Sequence, residues 1–172
     1  MILVTPLSEI ENAIRLYRPS HLVTLLSPEH MIETPEGIVR ENHLRLAMND
    51  VPEAWGSEAP PAEHHILSLL NFGRDWPAEA PMLVHCWAGI SRSTAAAYIL
   101  LCDRHAPGSE LEIARALRVR APHACPNPLM VRLADAMLSR SGRMVEAVAS
   151  IGRGFVVAEG GRVELPITLT EL

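Results

Sequence analysis

Apolar and polar positions alternate along this chain in blocks that change period several times. Ile2-Leu3-Val4 is a short apolar run closed by Pro6, read as a strand. From Ser8, a good helix cap, Ile10, Ile14 and Leu16 keep near-helical spacing to Tyr17. His21-Leu22-Val23-Thr24-Leu25-Leu26 lies between Pro19 and Pro28 as a compact apolar run, the pattern of a buried strand. His43 to Met48 reads as a third strand, and Pro60-Pro61 open a helix through Ile66, Leu67, Leu69 and Leu70 that ends near Gly73. Met82 to His85 gives a fourth strand, and Ser91 to about His105 a strongly apolar helix. Two more helices follow, Ser109 to about Arg120 and Pro128 to about Arg140. The stretch 154–166 reads as a terminal hairpin turning at Gly160-Gly161.

Strands separated by helices predict an α/β domain. We expect a central, mostly parallel sheet of four or five strands flanked by helices, with a helical C-terminal third. At 172 residues without repeats or a low-complexity linker, the chain is expected to form one domain, 1–172.

Composition narrows the functional classes. Fifteen positive residues, all Arg, stand against twenty negative ones for a net charge of −5. Such a balance argues against a general nucleic-acid surface, which needs a basic stripe to displace counterions. Any anion is therefore held locally. An Ala- and Arg-rich chain without Lys has the composition of a GC-rich bacterial genome. Cys86, Cys102 and Cys125 form no zinc spacing, and the start lacks the pattern of a secretory signal, so a reducing cytoplasm and no membrane partner are expected.

The chemistry concentrates in Leu83-Val84-His85-Cys86-Trp87-Ala88-Gly89-Ile90-Ser91-Arg92-Ser93-Thr94. A strand ends in a cysteine, a loop follows, and an Arg opens a helix. Trp87, Ala88, Gly89, Ile90 and Ser91, closing into a ring, would turn successive amides toward one centre. The helix aims its positive end at the same point, and Arg92 can fork two hydrogen bonds onto an anion. Those dipoles favour Cys86 as a thiolate nucleophile facing the anion. Ser93 is placed to hydrogen-bond the sulfur, and His85 to order the loop.

These residues resemble the His-Cys-x5-Arg-Ser/Thr signature of the cysteine-dependent protein tyrosine phosphatases. Ala88-Gly89 stand where many such loops carry Ala-Gly. Length and motif position are similar to the compact dual-specificity branch and to small bacterial tyrosine-phosphatase-like proteins, over about residues 40 to 140. Low-molecular-weight phosphatases carry their loop close to the N-terminus and fit poorly. The resemblance implies hydrolysis of a phosphorylated protein, or a small phosphate ester, through a phosphocysteine, with no metal or organic cofactor. It leaves open phosphoinositides as substrates, and a silent phosphoprotein-binding module. A rhodanese-like sulfur transferase suits the pattern less well.

The family also needs an acid for the leaving group, some thirty residues before the cysteine. Asp75 precedes the strand that ends at Cys86, so it lies one strand length away, roughly 16 Å. Asp50 follows the strand His43 to Met48 and would emerge at the same carboxyl edge as Cys86, where α/β sheets bind ligands. Asp50 is the choice, Glu53 the reserve, and Asp103 is too far along its helix. Asn127 and His123 lie in a stretch similar to one that opens a late helix near the family's active site; a helix cap and a loop histidine are their plainer readings. Cys102 reads as core, and Cys125 as the more exposed thiol, a candidate for a reversible disulfide with Cys86.

Overall fold

The computed structural model describes residues 1–53 and 59–171. Five strands, β1 (Ile2–Pro6), β2 (His21–Leu26), β3 (His43–Ala47), β4 (Met82–Cys86) and β5 (Val163–Leu165), form one sheet in the order β3-β2-β4-β1-β5. β4 runs parallel to both neighbours, β2 pairs parallel with β3, and only β5 is antiparallel, against β1. The fold is the expected α/β arrangement around a mostly parallel sheet.

Side-chain alternation divides the core. On one face Leu3, Leu22 and Leu83 pack with Ile10 and Ile14 of α1 (Ile10–Tyr17). The intervening residues Ile2, Val4, Val23, Met82 and Val84 face the larger cluster on the opposite side. That cluster takes in α2 (Glu63–Asp75), α3 (Arg92–Arg104), α4 (Glu110–Arg120), α5 (Pro128–Met137) and α6 (Arg143–Ser150). Strands covered on both faces need no alternating polar residues, which is why β1, β2 and β4 are buried at every position and mostly apolar, with Thr5, His21, Thr24 and His85 as their polar members. α3 is buried at every position from Arg92 to Cys102 and forms the axis of the helical layer.

Three local expectations change. Residues 154–162 carry no strand, so there is no terminal hairpin; Val163–Leu165 instead adds to the exposed edge of β1. Gly160 serves close approach rather than a turn, since a Cβ there would sit 2.4 Å from His123 Nε2. Ser8 does not cap α1, whose N-cap is Glu9; its hydroxyl bonds the Glu159 carboxylate, tying this C-terminal segment to the sheet edge. The sequence pattern also gave no element between Arg140 and Gly154, where the chain forms α6.

A buried ion pair pins the far end of the helical layer. Arg140 Nη1 donates to Glu110 Oε1 at 2.9 Å, and its Nη2 takes the Cys102 and His105 carbonyls at 2.6 and 2.8 Å, closing the C-terminus of α3. Burial alone would raise the Glu110 carboxyl, but bonds from its own amide, the Gly108 amide, Arg140 and Arg143 bring it below the usual range.

Candidate active site

Cys86 ends β4 at the middle of the sheet, and Arg92 opens α3 six residues later, so strand, loop and helix converge on one point. Both side chains are buried. Cys86 Sγ lies 3.1 Å from Ser93 Oγ, the contact expected of a hydroxyl that steadies the sulfur.

The loop between them is tethered from outside by four hydrogen bonds from three segments of the chain. The carbonyl of Trp87 accepts the Leu7 amide at 3.1 Å, that of Ala88 the Gly160 amide at 2.8 Å, that of Ile90 the Cys125 amide at 2.9 Å, and that of Ser91 the Asn127 amide at 3.3 Å. Four of the five loop carbonyls are thus bonded to partners outside the loop. Gly89 has φ +69°, and a Cβ there would meet Pro6 N at 2.8 Å, so the loop both turns left-handed and presses on the end of β1.

Arg92 is held at one end only. Its Nη1 donates to the Met48 carbonyl at 2.7 Å, while its Nε is buried with no hydrogen-bond partner. A buried guanidinium N–H without an acceptor is costly unless a ligand completes it. Asp50 Oδ2 is 3.8 Å from that same Nε.

Asp50 does emerge at the carboxyl edge, three residues past β3, as parallel pairing requires. Its Oδ1 accepts from Ser91 Oγ at 2.6 Å and from Asn127 Nδ2 at 2.9 Å. Ser91 therefore contributes a side chain as well as an amide. Asn127 makes two contacts at once: its Oδ1 caps α5 by accepting the Met130 amide at 3.1 Å, and its Nδ2 reaches Asp50 and the Val51 carbonyl. Asp75 lies at the opposite end, where Arg104 of α3 binds the carbonyls of Gly73 and Trp76 beside it. Asp103 pairs with Arg74 at that same end. Glu53 is exposed and adjoins residues outside those described.

His85 is fully buried, and its imidazole is pushed down to about 3 by burial. Its Nε2 is 2.7 Å from Thr24 Oγ1, which is 2.8 Å from His43 Nε2; His43 Nδ1 meets Thr34 Oγ1 at 3.0 Å. Burial, with Arg45 adding to it, pushes His43 down to about 4. A chain of neutral, hydrogen-bonded groups thus backs the loop from β2 and β3, and sequence reading found only its first member. His123 sits behind the loop between Gly89 and Gly160, and burial lowers its pKa. Trp87 is exposed at the lip, its ring 5.0 Å from that of His30 and edge-on to it, so it does not pack beneath the loop.

Cys102 is buried in α3, its thiol pushed up to about 12 by burial, and Cys125 is exposed; all three cysteines are free. The His64 and His65 rings lie 3.8 Å apart, tilted by 45°, and His65 Nδ1 accepts the Ala62 amide. Among the described residues no group of three His, Cys, Asp or Glu side chains is arranged to hold a metal, and no helix is long and apolar enough to cross a membrane.

Residues 43–123 match the family model described as protein-tyrosine phosphatase. Among solved structures, DUSP15 superposes with a TM-score of 0.57 at 18% identity, covering 87% of each chain. A second, OH1 from the Orf virus, titled a tyrosine phosphatase with triple substrate specificity, gives a TM-score of 0.44 at 14% identity over 87% of this chain and 78% of that one. No curated protein matches the chain.

Proposed function

The chain carries a protein-tyrosine phosphatase domain, and from that premise we propose that it hydrolyses phosphate monoesters of proteins, phosphotyrosine first, through a phosphocysteine on Cys86. The observation that carries the assignment of the site is the buried Arg92 Nε without a hydrogen-bond acceptor, 3.8 Å from the Asp50 carboxyl, on the helix that follows the Cys86 loop.

Cys86 Sγ attacks phosphorus in line with the ester oxygen. Arg92 and the amides of Trp87, Ala88, Gly89, Ile90 and Ser91 hold the three equatorial oxygens, so the charge of the transition state meets a preorganised positive field. As the P–O bond breaks, the departing oxygen takes a proton from Asp50. Water then attacks phosphorus, Asp50 accepts its proton, and the sulfur leaves as a thiolate stabilised by Ser93 Oγ. Asn127 and Ser91 hold Asp50 over the cradle, and His85 holds the loop from behind. The positive field that a divalent cation supplies elsewhere comes here from Arg92 and the amide ring, so the reading includes no metal or organic cofactor.

The same reading takes the chain as one domain in the cytoplasm of a bacterium. The Lys-free, Arg-rich composition and the three free thiols support it. The net charge of −5 supports a phosphoprotein over nucleic acid as partner.

The test is hydrolysis of p-nitrophenyl phosphate by the wild type, Cys86→Ser and Asp50→Ala. Turnover is expected in the wild type, none in Cys86→Ser, and a reduced rate in Asp50→Ala. Activity surviving in Cys86→Ser excludes the mechanism.

A further inference from the structure

A groove of about 610 Å³ opens directly beside the cradle, between the acid loop and residues 152–157. Its near end is built by the site itself: Ile90 belongs to the phosphate loop, and Pro52 lies two residues past Asp50. Pro126, Val148 and Phe155 continue the wall outward. Phe155 is 75% exposed and Val156 102%, adjacent large apolar side chains that the fold leaves in water.

That segment is no loose end. Phe155 N donates to the Pro122 carbonyl at 2.9 Å, Gly160 N to the Ala88 carbonyl of the phosphate loop at 2.8 Å, and Gly154 packs on the backbone of His123 and Ala124. The backbone that carries the exposed side chains is thus bonded at Phe155 to the carbonyl of Pro122 and, farther on at Gly160, to the loop that follows Cys86. A preformed apolar surface of this volume is the usual form of a binding subsite.

Direction follows from the acid. Asp50 delivers its proton to the ester oxygen, so the organic part of the substrate lies on the Asp50 side of the phosphate. The groove begins on that side, at Pro52. We propose that it receives the apolar side chain flanking the phosphorylated residue of a phosphopeptide, with Ile90, Pro52, Phe155 and Val156 as specificity-determining residues. This rests on the phosphatase reading. A peptide fits better than a lipid surface on charge: Arg153 is the one permanently charged side chain among the described residues lining the groove, and the chain carries −5, whereas anionic bilayers recruit clusters of basic residues.

The experiment compares wild type, Phe155→Ser and Val156→Ser on three substrates. These are p-nitrophenyl phosphate, too small to reach the groove, and two phosphotyrosine peptides that differ only in Leu or Gly on either side of the phosphotyrosine. The expected result is a wild-type kcat/KM about tenfold higher for the Leu peptide, falling to about twofold in either variant through KM, with p-nitrophenyl phosphate unchanged. Equal rates on the two peptides, or a preference that survives both variants, overturns the proposal while leaving the phosphatase reading intact. So does Phe155-dependent turnover of a phosphoinositide in phosphatidylcholine vesicles that exceeds turnover of the Leu peptide. Absence of p-nitrophenyl phosphate turnover in the wild type defeats the phosphatase reading, and the proposal with it.

Discussion

Asn127 Nδ2 stands 2.9 Å from Asp50 Oδ1 while Asn127 Oδ1 caps α5 on the Met130 amide at 3.1 Å. One buried side chain thus joins the first turn of a late helix to the loop that follows β3. Asn127→Ser separates the two jobs, because a serine hydroxyl still caps but no longer reaches as an amide donor. The variant is expected to keep its thermal midpoint within a few degrees and to lose about tenfold in kcat, the worth of one hydrogen bond to a charged group. Unchanged kcat would remove Asn127 from the acid's support.

Arg92→Lys keeps a positive charge but loses the fork and the Nε donor. Loss of about a hundredfold or more in kcat/KM is expected, with inorganic phosphate inhibition weakened in parallel. Steady-state rates and phosphate inhibition constants check both.

Ser93 Oγ, 3.1 Å from the sulfur, is assigned to thiolate departure in the second step. Ser93→Ala should therefore slow breakdown of the phosphocysteine more than its formation. Rapid mixing with p-nitrophenyl phosphate is expected to show a burst of nitrophenol larger than in the wild type, followed by a slower steady state.

His85 and His43 are held neutral in the fold, at about 3 and about 4, against an ordinary value near 6.5 in the unfolded chain. A depressed histidine contributes stability above its unfolded pKa, and that contribution drains away as pH falls toward the folded value. The unfolding free energy should decline from about pH 6.5 to about pH 3, by about 1.4 kcal/mol per pH unit for His85. Glu110, held below its usual range, adds to the loss in the acid part of that window. Urea titrations across the range measure the slope, and His85→Gln should flatten it.

The strand, loop and helix around Cys86 were legible because they are contiguous: Leu83 to Thr94 carries apolar run, nucleophile, ring, Arg and helix start in one stretch. The position of Asp50 at the edge where Cys86 lies was legible through topology, since two parallel strands end there. What stayed hidden depends on chain closure over long separations. Asn127 meets Asp50 across 77 residues, and the Met48 carbonyl holds Arg92 across 44. Neither contact has a local signature. Thr24 lies inside an apolar run with nothing in the sequence to mark it, and only the pairing of β2 with β3 and β4 puts it between two histidines. Gly160-Gly161 read as a turn because turn and close approach both require a residue without a side chain, and the chain alone does not say which applies.

Acid-quenched enzyme, trapped during turnover of a phosphotyrosine peptide and digested for mass spectrometry, tests the central claim most directly. The account predicts one phosphoryl group on the peptide containing Cys86, absent from Cys86→Ser. A phosphoryl group on another residue, or undiminished turnover by Cys86→Ser, would contradict it.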